Sequence, residues 1–414
     1  MKRSPLVVIF TTVFIDLVGF GIVIPVLPYY AESSRFHATP RIVGLLFASY
    51  SVMQLIFSPI LGRLSDKHGR RPVLLISIIG TGVGFLILGF ANTLLLLFVG
   101  RILDGITGGN ISTAQAYIAD ITTPENRAKG MGLIGAAFGL GFVFGPAIGG
   151  ILTRWGVAVP FFFAAGLCFA NALLLYFTLP ETVTPDHPAR TSAAGGRGLG
   201  QLIHSFADWR LAYVLTIYFL FIVAFSIMTT SFSLFTMFRF GYDAQHTGYL
   251  FAYVGILAVI VQGGLIGRLV KRFGELSLVI AGAFLFAGSL FAVPFVGPQN
   301  GGLAALLIGG GLFSIGNSLS SPSLTSLASK QVSAAEQGSI MGVTQSVASL
   351  ARAAGPALAA LLIHSAIAYT GADGQPHLMS DSSLFVTFWT GSAIMILALG
   401  LAVYYSRLQA EVRP

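Results

Sequence analysis

Asp16-Leu-Val-Gly-Phe-Gly-Ile-Val-Ile-Pro-Val-Leu-Pro28 is apolar throughout except for its first residue. It sits inside a run from residue 6 to residue 29 in which Asp16 is the only charged side chain. A helix of that length, rising about 1.5 Å per residue, crosses a hydrocarbon core about 30 Å thick. Asp16 falls about ten residues in, roughly 15 Å from the start and near the bilayer midplane. A charge at that depth costs several kcal/mol on insertion scales, so it faces a cavity or a partner, and its protonation can follow access and substrate. The plainer alternative is a fixed ion pair that ties two helices together.

The rest of the chain extends the same pattern. Of 414 residues, 55% are hydrophobic and 9% charged, whereas an ordinary soluble domain carries about 25% charge. Apolar runs bounded by charge, Pro or Gly predict spans at 6–29, 42–62, 72–91, 94–117, 130–152 and 158–179, then at 211–235, 247–267, 276–296, 302–328, 338–365 and 383–405. The expected fold is therefore an all-α integral membrane protein of twelve transmembrane helices. Its expected organisation is a six-helix bundle over 1–180, a polar Pro, Gly and Arg-bearing linker over 181–209, and a second six-helix bundle over 210–414. Lys2 and Arg3 precede the first run without a small-residue cleavage site, which predicts a retained span rather than a signal peptide.

The net charge of +8 does not imply nucleic acid, because the basic residues fall between apolar runs and form no continuous surface. The termini and alternate loops carry 17 lysines and arginines and the opposite loops four, Arg35, Arg41, Arg154 and Arg239. Cytoplasmic loops are enriched in these residues, so both termini are expected in the cytoplasm of a multi-pass protein of the cell inner (plasma) membrane. The single cysteine, Cys168, lies in an apolar stretch and reads as a buried structural thiol.

An internal repeat divides the chain. Gly62-Arg-Leu-Ser-Asp-Lys-His-Gly-Arg70 after span 2 returns as Gly267-Arg-Leu-Val-Lys-Arg-Phe-Gly-Glu275 after span 8. Met131-Gly132 and Gly145-Pro146 match Met341-Gly342 and Gly355-Pro356 at a constant offset of 210. Two parallel halves imply a cleft at their interface near the midplane.

Polar residues inside the spans nominate its lining. In span 4, Arg101, Asp104, Gly105, Gly108, Ser112 and Gln115 recur at three- and four-residue steps on one face. Arg101 would be a fixed countercharge for Asp16, Asp104 or both, and an intrahelical Arg101–Asp104 pair is the alternative. Span 7 places Tyr218, Phe221, Phe225, Thr229 and Phe232 on a face suited to a large apolar ligand. Phe20, Gln54, Asn317, Ser320, Ser321, Gln345 and Arg352 are further cavity candidates. After span 2, Arg63, Asp66 and Arg70, with Gly62 and Gly69 for tight turns, form a candidate gate. There Asp66 would be drawn to the N-terminal dipole of span 11. In span 5, Gly135, Gly139, Gly141, Gly145, Pro146, Gly149 and Gly150, with Gly355 and Pro356 in span 11, are expected to set helix packing and a pivot. No metal-ligand cluster, phosphate-binding loop or catalytic constellation stands out, so no cofactor and no enzyme activity are expected, and an ion gradient is the energy source.

These residues resemble the major facilitator superfamily, and within it the twelve-span drug:proton antiporters, above all the tetracycline-resistance efflux proteins. The resemblance rests on Asp16 to Pro28, on Gly62 to Pro72, and on Gly100-Arg101 through Gly109. It rests also on Tyr117-Ile-Ala-Asp120-Ile-Thr and on Gly141 to Gly150 with Gly145-Pro146. It covers both halves and is stronger in the first. It implies that Asp16 and Arg101 serve proton coupling, with Asp66 in a conformational latch. Where tetracycline exporters carry a histidine in span 8 and an aspartate in span 9, this chain has Ala258 and Phe286, which points away from tetracycline itself as substrate. Asp104 stands where the superfamily often has Gln, adding a titratable group that would alter stoichiometry or favour cations. The implied function is secondary active, proton-coupled antiport of amphipathic organic compounds by a monomer, its partners being a small molecule, protons and the bilayer. The other readings are a proton-linked transporter of a metabolite such as a sugar or organic acid, a non-transporting receptor or scaffold, and, last, a multispan membrane enzyme.

Overall fold

The computed structural model describes residues 5–183, 208–332, 337–363, 367–370, 376–379 and 381–412. Twelve long helices account for most of them. The first six are α1 (Pro5–Glu32), α2 (Pro40–His68), α3 (Arg70–Phe90), α4 (Leu94–Ile121), α5 (Pro124–Leu152) and α6 (Val159–Thr178). The second six are α7 (Trp209–Phe240), α8 (Ala244–Phe273), α9 (Glu275–Ala292), α10 (Gly302–Lys330), α11 (Gln337–Leu362) and α12 (Asp381–Val412). Eleven are apolar and long enough to cross a membrane by length and composition. The remaining one, α11, has 26 residues and is about 39 Å long by the helical rise. Most of the expected linker, residues 184–207, lies outside the described residues, as do Lys2 and Arg3.

Local chemistry sets the helix starts. Thr39 accepts a hydrogen bond from the Ile42 amide ahead of Pro40, and Thr93 does the same for Leu96, so α2 and α4 begin at capped first turns. Asp243 caps α8 through the His246 amide at 2.8 Å. Two interior irregularities matter below: a tight turn at Gly108–Asn110 in α4 and a wide π turn at Val261–Leu265 in α8. Because α2 runs on to His68, Gly62 is a helical residue rather than part of a turn. Gly69 alone makes that corner, at φ 99°, where a Cβ would lie 2.5 Å from Glu181 Oε2. Between α11 and α12 a small antiparallel hairpin pairs β1 (Ile367–Thr370) with β2 (Pro376–Met379).

The repeat is structural as well as sequential. In the first half α5 lies against α1 so closely that a Cβ on Gly145 would sit 2.6 Å from Gly21 Cα and 2.7 Å from the Val18 carbonyl oxygen. In the second half α11 lies against α7, and a Cβ on Gly355 would sit 2.5 Å from Ser226 Cβ and 2.9 Å from the Val223 carbonyl oxygen. An offset of 205 residues carries Val18 onto Val223 and Gly21 onto Ser226, as it carries Gly62 onto Gly267. The ion pair at the base of each half is conserved in place and inverted in sign. Arg70 Nε meets Asp120 Oδ2 at 3.0 Å, and the corresponding Glu275 pairs with Lys330.

The chain termini share one end of the bundle, and the halves join at the other. There Tyr29 Oη on α1 lies 2.6 Å from Thr247 Oγ1 and 3.3 Å from both Thr236 Oγ1 and the Ser233 carbonyl oxygen. Arg154 donates to Gln245 Oε1 at 2.8 Å and also bonds Tyr249. Gly150 faces Gly248 and Gly44 faces Ala360 at backbone contact, where a Cβ on Gly44 would meet Ala360 Cβ at 2.7 Å. Toward the termini end the opposite holds, since a Cβ on Gly135, Gly263, Gly264 or Gly267 would meet open space.

The α1–α5 contact predicts a sharp asymmetry between two conservative substitutions. Gly145→Ala should lower the melting temperature of detergent-solubilised protein by the equivalent of about 1–3 kcal/mol, as overpacking does. Gly288→Ala, where nothing stands within 4 Å of the added methyl, should leave it unchanged or raise it by up to about 1 kcal/mol through helix propensity. Equal effects at the two positions would contradict the packing described.

Candidate functional site

Two neighbouring features occupy the interior: a charged cluster inside the first half and a cavity between the halves. The cluster is built on α4. Arg101 Nη1 meets Asp104 Oδ2 at 2.6 Å, one helical step along, with the two residues 0% and 3% exposed. The guanidinium lies over the Tyr50 ring at 4.2 Å from its centroid, a cation–π contact reached because Gly105 lets α2 approach to backbone distance. Arg101 Nε and Nη2 are buried without a hydrogen-bond partner among the described residues. Asp16, on α1, has the Asn110 side chain as its hydrogen-bonding neighbour and lies in the field of Asp104. Arg101 is therefore paired with Asp104 in this state, and Asp16 stands beside the pair rather than in it. Of the partners expected for Arg101, which were Asp16, Asp104 or both, the ion pair present is the intrahelical one, because a three-residue separation on one helix already brings the two charges together.

The cavity encloses about 290 Å³, between α5 on one side and α7, α8, α10 and α11 on the other. Its walls are aromatic. Phe138 and Phe142 come from α5 and Phe251 from α8, while Phe225 of α7 and Phe313 of α10 stack at 5.8 Å. Side-chain amides and hydroxyls stud this surface, and Arg352 supplies its one cation among the lining residues. Of the predicted cavity residues, Gln115, Tyr218, Phe225, Thr229, Asn317, Ser321, Gln345 and Arg352 line it.

Others have different work. Phe221 is 1% exposed and packs on Phe286 at 5.3 Å, and Phe232 packs on Phe251, both inside the second half. At about 100° per residue, 218, 222, 225 and 229 form the inner stripe of α7, and 221 and 232 fall at its edge and turn into the core. Phe20 sits behind the wall, with its ring 5.8 Å from Phe142 and 5.3 Å from Tyr50. Gln54 donates to Tyr50 Oη at 2.9 Å and to the Gly108 carbonyl at 3.0 Å, and Ser112 donates to the Ser58 carbonyl at 2.8 Å. These two polar groups tie α2 to α4, and Ser320 donates to the Val279 carbonyl at 3.5 Å. Asp104 is turned into its own bundle and absent from the cavity wall, so the expected bias toward cations has no basis there.

The gate candidates form one network at the base of the first half. Arg70 is fully buried and pairs with Asp66 at 2.5 Å and Asp120 at 3.0 Å, and it donates to Ser65 Oγ at 2.7 Å. Its amide and that of Arg71 donate to the two Glu181 oxygens at 2.9 and 3.0 Å. Arg63 points away and donates to the Pro59 carbonyl at 3.3 Å on its own helix. The side chains at the start of α11, to which Asp66 was expected to dock, lie outside the described residues. Gly141, Gly145 and Gly149 face Leu17, Val18, Gly21 and Ile22 of α1, and a Cβ on Gly21 would meet Pro146 Cδ at 3.0 Å. This stripe fastens α5 within its own half. The close backbone approaches of α5 to the other half are Gly150 against Gly248 and Val143 against Gly255, with Phe142 packed on Phe225 at 5.5 Å.

Three contributors escape a residue-by-residue reading. The stripe Ile134, Phe138 and Phe142, at four-residue steps on α5, was visible beside the more conspicuous glycines. Gln262, a lone amide in an apolar run, lies on the π turn and donates to Ser318 Oγ at 3.2 Å. Glu181 gives no sequence signal of its grip on Arg70 and Arg71, because those two amides are more than 100 residues away.

The sequence matches a family model described as the Major Facilitator Superfamily over residues 9–356. It is 34% identical over 369 residues to the class D tetracycline resistance protein of Salmonella ordonez, covering 87% of this chain and 90% of that one. It is 28% identical over 412 residues to multidrug resistance protein 2 of Bacillus subtilis (strain 168), covering 98% and 96%. The crystal structure of the human organic anion transporter MFSD10 (TETRAN) superimposes with a TM-score of 0.69 at 25% identity, over 97% of this chain and 99% of that one.

The hydrogen-bond cluster around Tyr29 is a polar junction between the halves, beside the Arg154 bridge, and Ser233 Oγ adds a bond to the Ile24 carbonyl at 3.4 Å. In detergent, Ser233→Cys should react severalfold faster with a thiol reagent when Tyr29→Phe is also present, the native Cys168 being buried. An unchanged labelling rate would show that this cluster does not hold that end shut.

Proposed function

The chain belongs to the major facilitator superfamily, and from that premise we propose that it is a proton-coupled antiporter exporting amphipathic organic compounds by alternating access. The observation that supports this most is mechanical. One helix, α1, carries the half-buried carboxylate of Asp16, the Tyr29 junction at the far end, and the backbone contacts that fasten it to α5. Because α5 forms the aromatic wall of the cavity, a displacement of α1 reaches the proton site, the junction and the substrate site together.

The excess of basic residues in the loops at the termini end supports placing that end in the cytoplasm, and thus the protein in the cell inner membrane. The cavity would then take its substrate from inside, with the outward path sealed around Tyr29. A single chain encloses the whole cavity, and a monomer suffices.

The coupling step follows from the unused donors of Arg101. With a proton on Asp16, the carboxyl is neutral, rests beside Asn110 and leaves the Arg101–Asp104 pair undisturbed. Once the proton leaves, the new carboxylate is drawn toward Nε and Nη2 of Arg101, which are buried and hungry for an acceptor. That pull on α1 strains the Tyr29 junction and favours the state open to the outside. There a proton from the medium returns the protein to the state seen here. Substrate leaves in one half-cycle and the proton enters in the other. The aspartates at 66 and 120, clasping Arg70, would stiffen the base of the first half while it moves.

Proteoliposomes with an acid interior test this directly. The gradient should drive uptake of members of a panel of aromatic organic compounds, and a protonophore should stop it. Asp16→Asn should cut the gradient-driven component at least about tenfold, within the range of measured coupling energies, with no loss of folded protein. Uptake indifferent to the gradient, or full coupling in Asp16→Asn, would contradict the proposal.

A further inference from the structure

Arg352 is half-buried and, among the described residues, lacks the carboxylate partner that three other arginines have. Arg70 has Asp66 and Asp120, Arg101 has Asp104, and Arg239 has Asp381. Arg352 lies about 22 Å along α11 from Gln337 by the helical rise, well inside the span. Its only hydrogen bond among the described residues runs from Nη2 to Ser349 Oγ, 3.3 Å away on its own helix. Its Cζ stands 5.6 Å from the centroid of the Phe138 ring across the cavity. The titratable groups nearest it in effect are the phenols of Tyr218 and Tyr50. Among the described residues no aspartate or glutamate lines the cavity, and no carboxylate is within ion-pair distance of Arg352.

A guanidinium held there without an anion is costly, because the surrounding low dielectric does not replace its hydration. Its planar fork is suited to two parallel hydrogen bonds to one carboxylate, sulfonate or phosphate group. The rest of the cavity offers aromatic faces, with Phe138, Phe142, Phe225 and Phe313 at the scale of one medium-sized organic molecule. A cationic ligand would meet the field of Arg352 with no acidic side chain to offset it. We infer that Arg352 anchors an acidic group of the substrate, so that the preferred compounds carry a carboxylate or similar anion on a large apolar body. This rests on the transport reading above and narrows its substrate class. It also separates this cavity from one built to hold a cation.

The test uses three fluorescent probes that share one apolar body: pyrenebutyrate, pyrenebutanamide and pyrenebutylamine. Equilibrium binding to the purified full-length protein in detergent should rank the acid about tenfold or more above the amide, as expected for a hydrogen bond to a charged group. The amine should bind weakest. Arg352→Gln should collapse the acid-to-amide ratio to near one, and Arg352→Lys should restore most of it by keeping the charge, with melting temperature checking that both variants fold. The inference is overturned if the amine binds tightest, if the acid shows no advantage, or if the advantage survives Arg352→Gln. The binding measurement involves no gradient. If none of the probes moves with a pH gradient in proteoliposomes, the transport reading fails, and the ranking in detergent still decides the role of Arg352.

Discussion

A guanidinium group keeps its proton at any physiological pH, so within a membrane span it must be given a partner or kept for one. The two arginines in the interior show both solutions. Arg101 has Asp104 one helical step away and the face of Tyr50 beneath it. Arg352 has a hydroxyl on its own helix and a ring across the cavity. The first arrangement closes a charge within one bundle and leaves two donors in reserve beside Asp16. The second leaves a charge facing the space between the bundles. These two cations lie one on each side of the interface, Arg101 with its carboxylate in the first half and Arg352 on the cavity wall in the second.

Glycine makes the mechanical link between them possible. Backbone contact between α1 and α5, through Gly21, Gly141, Gly145 and Gly149, removes the layer of side chains that would otherwise cushion one helix from the other. The same contact recurs between α7 and α11 around Gly355, so the corresponding helix pair is packed at backbone distance in each half. Across the interface the close contacts gather at the far end, at Gly150 against Gly248 and Gly44 against Ala360. The paired helices can thus part at one end while remaining joined at the other. At the base, the inversion from Arg70–Asp120 to Glu275–Lys330 keeps both halves braced by an ion pair while giving the two loops opposite signs at the corresponding helix start.

Much of this was legible in the sequence, for reasons that differ from residue to residue. Eleven of the twelve helices follow from apolar length alone, and the helix limits depart from it mainly where polar turns continue, as α2 does from 62 to His68. Asp16 and Arg101 announce themselves because charge inside a span is expensive. Phe221 was misplaced because helical spacing locates a stripe but not its rotation toward a neighbour, and one position at the stripe's edge decides between cavity and core. Gln54 and Ser112 were misplaced for another reason: a polar side chain in a span bonds whatever backbone comes within reach, here Gly108 and Ser58, and the sequence does not say which helix that is. The grip of Glu181 on the amides of Arg70 and Arg71 had no local signature, since it depends on two segments meeting only in the folded bundle.

The central claim is that the proton on Asp16 decides which end of the two halves is open. Distances between spin labels test it most directly. One pair sits at Lys67 and Lys271 on the termini end, and another at Asn92 and Gln299 on the far end, all four exposed. Raising the pH should shorten the first distance and lengthen the second in the native background, while Asp16→Asn should hold the protein in the acidic pattern at every pH. Distances that ignore pH, or an Asp16→Asn protein that still responds like the native one, would contradict the account.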